Sequence, residues 1–141
     1  MKSKRRSSTS PPPPDPVFFL DRNLGAEKMS RILASAGFRV ELHHVWFYGR
    51  QDVTDEEIIA ECGKRSCFLL TADGDLASRY EAEIRQANIG VFVLSNNNEG
   101  PSLWGPRIVA ARNAFVRTTS HRPRPFVARF GKGGELSVRL L

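Results

Sequence analysis

Short apolar runs alternate along this chain with longer stripes of helical spacing. Val17-Phe18-Phe19-Leu20 is the first run, Phe38 to Leu42 the second, Cys67-Phe68-Leu69-Leu70-Thr71 the third and Val91-Phe92-Val93-Leu94 the fourth. Runs this short, bounded by turn-forming residues, read as strands covered on both faces. The first predicted helix puts Leu24, Met29, Ile32, Leu33 and Ala36 on one stripe, with Asn23 as its cap and Gly37 as its stop. Thr54-Asp55-Glu56-Glu57 has the form of a capping box and opens a helix through Ile58, Ile59 and Cys62 to Gly63. A third helix starts near Leu76 and carries Tyr80, Ile84 and Ala87, and a fourth is striped by Leu103, Ile108, Ala111 and Phe115. Strand and helix in alternation predict an α/β fold: three layers, α/β/α, around a central, mostly parallel sheet.

Three stretches fall outside that rhythm. Residues 1–16, basic and then Pro11-Pro12-Pro13-Pro14, cannot bury enough apolar surface to offset their ordering entropy, and are expected to form a disordered or polyproline arm. His43 to Val53 reads as a loop whose Val45-Trp46-Phe47-Tyr48 could stack bases or could cover the sheet edge, with His43 and His44 as loop or packing residues. After Ser95 to Pro101, a loop of asparagines and turn-formers, and the break at Pro123 and Pro125, Phe126–Phe130 and Glu135–Leu140 flank Gly131-Lys132-Gly133-Gly134. That is a C-terminal β-hairpin signal, read as standing outside the strand–helix repeat. The expected domains are therefore an arm over 1–16, an α/β domain over 17–118 and a basic hairpin over 119–141.

Composition adds limits. At 141 residues the chain suits one domain with a proper core. With no apolar run of about 18 residues, neither a membrane span nor a secretory leader is expected. Two cysteines, Cys62 and Cys67, without metal-type spacing point to a reduced, cytoplasmic setting. The net charge of +6 is unevenly placed: residues 1–16 carry four Lys/Arg against one Asp, residues 17–100 nine against thirteen acids, and residues 101–141 eight against one. An acidic centre with basic ends suits a body that holds cations in the middle and a polyanion at its edges.

The candidate chemistry lies in that centre. Asp21 follows the first strand, Asp73 and Asp75 follow the third, and Asp55 or Glu56 opens the helix that feeds the third. Parallel strands share a direction, so these acids gather at one sheet edge, the carboxyl edge where open α/β sheets bind ligands. Carboxylates crowded in one cleft repel unless divalent cations neutralise them, and Mg²⁺ or Mn²⁺ takes such oxygen ligands together with substrate phosphate oxygens. Metal-assisted phosphodiester hydrolysis is the reaction that the pattern serves best. Serine-hydrolase elbows, P-loops and dinucleotide fingerprints are absent, and zinc lacks a Cys/His set. An aspartyl-phosphate phosphatase would want an acid where Asn23 stands.

Phe18-Phe19-Leu20-Asp21-Arg22-Asn23, Ala36-Gly37, Thr54-Asp55-Glu56-Glu57-Ile58-Ile59 and Leu69-Leu70-Thr71-Ala72-Asp73-Gly74-Asp75 resemble, in order and spacing, the motifs of PIN-like domains. The resemblance is to the compact family grouped with toxin ribonucleases of toxin–antitoxin pairs, and covers about residues 17–95. It implies an endoribonuclease dependent on Mg²⁺ or Mn²⁺ and held inactive by a cognate antitoxin. Asp21 and Asp73 would be the principal metal ligands, Asp55 the acid on the middle helix, with Glu56 as its alternative, and Asp75 the further acid. Arg22, Arg122, Arg124, Arg129 and Lys132 are the candidate RNA-binding cations. A non-catalytic interaction module is the competing expectation, and the aromatic loop and the hairpin leave a homodimer or a heterocomplex open.

Overall fold

A computed structural model describes residues 15–95 and 100–141, so most of the basic arm and the stretch Asn96 to Glu99 lie outside the described residues. Six strands form one sheet: β1 (Val17–Leu20), β2 (Arg39–Leu42), β3 (Phe68–Thr71), β4 (Gly90–Leu94), β5 (Phe126–Phe130) and β6 (Leu136–Leu140). Their order across the sheet is β2-β1-β3-β4-β5-β6, parallel throughout except for the last, antiparallel pair.

Side chains alternate across these strands with the period of two that a pleated strand imposes. Phe18, Leu20, Leu70, Phe92 and Phe130 enter one core with Leu24, Met29, Leu33, Trp104, Ile108 and Phe115. Phe19, Leu69, Val91, Val93 and Val127 enter the other, under Ile58, Ile59, Cys62, Leu76 and Ile84. The helices thus cover both faces. On the first face lie α1 (Ala26–Ser35), α6 (Pro101–Ala110) and α7 (Arg112–His121); on the second lie α2 (His43–Trp46), α3 (Asp55–Arg65), α4 (Leu76–Arg79) and α5 (Glu81–Ala87). The expected three-layer α/β/α architecture is what forms.

Several local expectations change. The hairpin of β5 and β6 is present, but β5 pairs parallel with β4, Gly90 against Phe126 through Leu94 against Phe130, so it completes one more strand–helix–strand unit instead of standing outside the repeat. The stripe over 103–115 is two helices that part at Ala111, and the third helix parts at Tyr80. The aromatic stretch is partly helical: α2 buries Trp46, which stacks on Phe19 with ring centroids 4.1 Å apart, whereas Tyr48 is 92% exposed. Covering the sheet edge therefore accounts for Trp46, and only Tyr48 is left as a free ring.

The capping box is formed in full, Thr54 accepting from the Glu57 N–H and Glu57 accepting from the Thr54 N–H. Helix α3 then approaches α5 so closely that a Cβ on Gly63 would lie 2.8 Å from the Ala87 carbonyl oxygen. Both cysteines are free and buried. Burial pushes the Cys62 thiol well up and the Cys67 thiol to about 11, so neither offers a thiolate at neutral pH.

Candidate active site

Register assembles the site. Leu20 pairs with Leu70, which brings Asp21, the residue after β1, beside Thr71, the last residue of β3. The Asp21 N–H donates to the Leu70 carbonyl at 3.0 Å and extends the ladder by one step. Its side chain accepts from the Arg22 N–H at 2.7 Å and caps a 3-10 turn over Arg22–Leu24. This corrects the expected Asn23 cap: Gly25, at φ 63, ends the turn, and α1 starts only at Ala26. Asn23 instead accepts from the Ala72 N–H at 3.3 Å and ties the two strand exits together.

Thr71 is the polar hub. Its hydroxyl donates to Asp21 Oδ2 at 2.8 Å and accepts from the Asp73 N–H at 3.0 Å. A fully buried threonine at the end of an apolar strand is the signal that could have marked it as a site residue. Burial raises the Asp21 carboxyl above the ordinary aspartate range; the Thr71 and Arg22 hydrogen bonds oppose that, and the charge of Asp55 adds to it. Asp55, in the first turn of α3, is thus close enough for its charge to be felt at Asp21. Glu56 faces away, in a groove with Ile59, Lys64 and Glu83 between α3 and α5.

Asp73 and Asp75 are arranged differently. The Asp73 carboxylate turns back on its own loop: Oδ1 accepts from the Asp75 N–H at 3.0 Å, and Oδ2 accepts from the Arg79 guanidinium at 2.9 Å. Asp75 is exposed. Among the described residues, no three of His, Cys, Asp and Glu form a group that could hold a metal ion. The structure therefore ties the Asp73 backbone to Asp21 through Thr71 and sets Asp55 where its charge acts on Asp21, while Glu56 lines a different groove and Asp75 is exposed in the Asp73 loop.

The candidate cations divide as well. Arg22 is engaged in structure, donating to the Gln51 and Val53 carbonyls at 3.2 and 3.3 Å and so holding the loop that leads into α3. Arg129 reaches the Gly74 carbonyl at 3.4 Å, and Lys132 lies in the turn just past the end of β5, so both stand at the acid edge. Arg122 and Arg124 precede β5 and lie at the opposite edge. Arg129 and Lys132 therefore stand, with Arg22, at the acid edge, and Arg122 and Arg124 do not.

His43, beside this edge at the end of β2, is buried, its Nε2 without a hydrogen-bond partner among the described residues. Burial, then the nearby Arg22 and His44, lower its pKa and hold it neutral.

No helix among the described residues is long and apolar enough to cross a membrane. Comparison with protein families matches residues 16–96 to a PIN-like domain. No curated protein and no solved structure matches the chain. The match covers more than half of the chain, so the chain belongs to the PIN-like domain family, whose members are generally nucleases that use divalent metals.

Proposed function

We propose that this PIN-like protein is a metal-dependent endoribonuclease, hydrolysing RNA phosphodiesters at the carboxyl edge of its sheet. The observation that carries the reading is the buried Asp21 carboxylate, held by Thr71 and facing the charge of Asp55. A carboxylate such as Asp21, whose ionised form is penalised by burial and by a neighbouring acid, fits a divalent cation, because Mg²⁺ commonly binds through one or two carboxylates plus water and phosphate oxygens. Asp21 and Asp55 would hold the ion, and Asp73 would join them on leaving Arg79. When bound, Mg²⁺ or Mn²⁺ supplies charge neutralisation at the phosphodiester.

The chain's own residues do the rest. Thr71 and the Arg22 N–H each hold one oxygen of Asp21, Oδ2 and Oδ1, and so fix the orientation of the carboxylate while leaving further lone pairs on both oxygens. Asn23 holds the Ala72 backbone and so the start of the Asp73 loop. Arg129 and Lys132 favour a phosphate backbone beside the acids.

The test is cleavage of end-labelled single-stranded RNA by the full chain with Mn²⁺ or Mg²⁺. Cleavage that stops on chelation, and in Asp21→Asn and Asp73→Asn, is the expected result. Cleavage undiminished in EDTA or in Asp73→Asn overturns the mechanism.

The finer reading, that the nuclease is the toxin of a toxin–antitoxin pair, is supported by the sequence motifs alone. Rescue of growth by co-expression of a small neighbouring reading frame tests it. A specific observation favours the non-catalytic alternative: the Asp73–Arg79 ion pair occupies an acid that a nuclease would need. Mn²⁺ titration separates the two, since a catalytic cluster binds Mn²⁺ and loses it on Asp21→Asn.

A further inference from the structure

The edge of the sheet where the parallel strands begin, opposite the acids, is basic. Arg39, first residue of β2, pairs with Val17 at the start of β1, and Arg124 stands two residues before β5. Arg39, Arg65 and Arg124 line a cleft of about 460 Å³ there with Ser66, Thr119 and Asp15. Asp15 and Arg39 also line an adjoining hollow with Arg112. Asp15 is the one carboxylate of either lining. Arg65 is answered by Glu61 at 2.8 Å, whereas Arg39 and Arg124 have no carboxylate partner among the described residues.

Two of these guanidinium groups are held against rings, Arg124 at 5.8 Å from the Phe68 centroid and Arg112 at 5.8 Å from that of Phe38. The Arg112 Nε–H is buried and has no acceptor among the described residues. That donor lies in the hollow and not in the cleft; in the cleft itself, two unanswered cations, Arg39 and Arg124, beside the Ser66 hydroxyl are what an anion with several acceptor oxygens would complete. Planar guanidinium forks match phosphate oxygens in particular.

We infer that this amino-edge cleft is a second phosphate-binding site, which holds the backbone of a single-stranded RNA away from the acids. The inference rests on RNA being the polyanion that the protein handles. Strands of four or five residues separate the two edges, a span of roughly 13–17 Å at about 3.3 Å per residue, and an extended nucleic-acid chain can occupy both. Contacts to phosphate position a strand without reading its sequence, so the site adds affinity and register, not base preference.

The experiment is equilibrium binding of a labelled oligoribonucleotide to the full chain in EDTA, over a series of salt concentrations. Arg39→Gln/Arg124→Gln should weaken binding about tenfold and make the slope of log K against log salt shallower by about 1.4, at roughly 0.7 per phosphate contact on a single strand. The charge-preserving Arg39→Lys/Arg124→Lys should keep the slope. A single-stranded DNA of the same sequence should show the same change, since the contacts are to phosphate. An unchanged slope in the glutamine variant, or an equal loss in the lysine variant, overturns the inference. Because chelator is present throughout, a protein that never cleaves RNA can still pass and an active nuclease can still fail, so this result and the nuclease reading are decided separately.

Discussion

Thr71 donates its hydroxyl hydrogen to Asp21 at 2.8 Å, across the junction of two strands fifty residues apart in sequence. The same oxygen accepts from the Asp73 N–H, so one side chain sets the positions of both principal acids. Thr71→Val keeps the shape and removes both bonds. We expect a loss of about 1–3 kcal/mol in stability, the cost of leaving a buried acceptor unsatisfied, measured by urea denaturation. Mn²⁺-dependent cleavage should fall with it, and a variant of unchanged stability would show that the hydroxyl is not needed to hold Asp21.

Asp21 gives a pH dependence of definite sign. Its folded pKa lies above the ordinary value of 3.8, so the native state keeps a proton that the unfolded chain releases. Stability in the absence of metal is therefore lost as pH rises through 3.8 towards the raised folded value, and stays lower above it. Asp21→Asn removes this penalty. Its melting temperature should equal that of the unaltered protein in acid and exceed it at neutral pH without metal. Added Mn²⁺ should stabilise only the unaltered protein, by mass action on the native state.

Arg79 competes for Asp73. The pair is half-exposed, so Arg79→Gln should change stability by no more than about 1 kcal/mol. Freed of its partner, Asp73 should bind Mn²⁺ more tightly, read by calorimetric titration. Weaker Mn²⁺ binding in Arg79→Gln would remove Asp73 from the ligand set.

Asp55 and Glu56 are adjacent, yet only Asp55 is felt at Asp21. Asp55→Asn should abolish metal-dependent cleavage, whereas Glu56→Gln should leave it within about twofold, the acids' helix-dipole contributions of about 0.3–1 kcal/mol each being lost in both. The reverse pattern of rates would reassign the middle acid.

Gly63 tests the second face of the fold. A methyl group there meets the Ala87 backbone oxygen at 2.8 Å, which can yield only if α5 moves. Gly63→Ala should destabilise by roughly 1–3 kcal/mol, as overpacked sites do, despite alanine's better helix propensity. Chemical denaturation checks the sign.

The sequence alone determined the layers and the acids. Short apolar runs such as Phe18–Leu20 and Leu69–Leu70 can be satisfied only by cover on both faces, and the Thr54–Glu57 box fixes a helix start through contacts three residues apart. Such features are local, and local chemistry is legible in a linear chain. What only the tertiary structure decided was pairing at a distance: Leu20 against Leu70, which joins Asp21 to Thr71; Arg79 on Asp73; β5 beside β4; and the division of the basic residues between two edges of the sheet. Strand register and side-chain direction depend on which neighbours pack alongside, and a one-residue slip would turn every one of these groups to the other face. No spacing within a single segment carries that information.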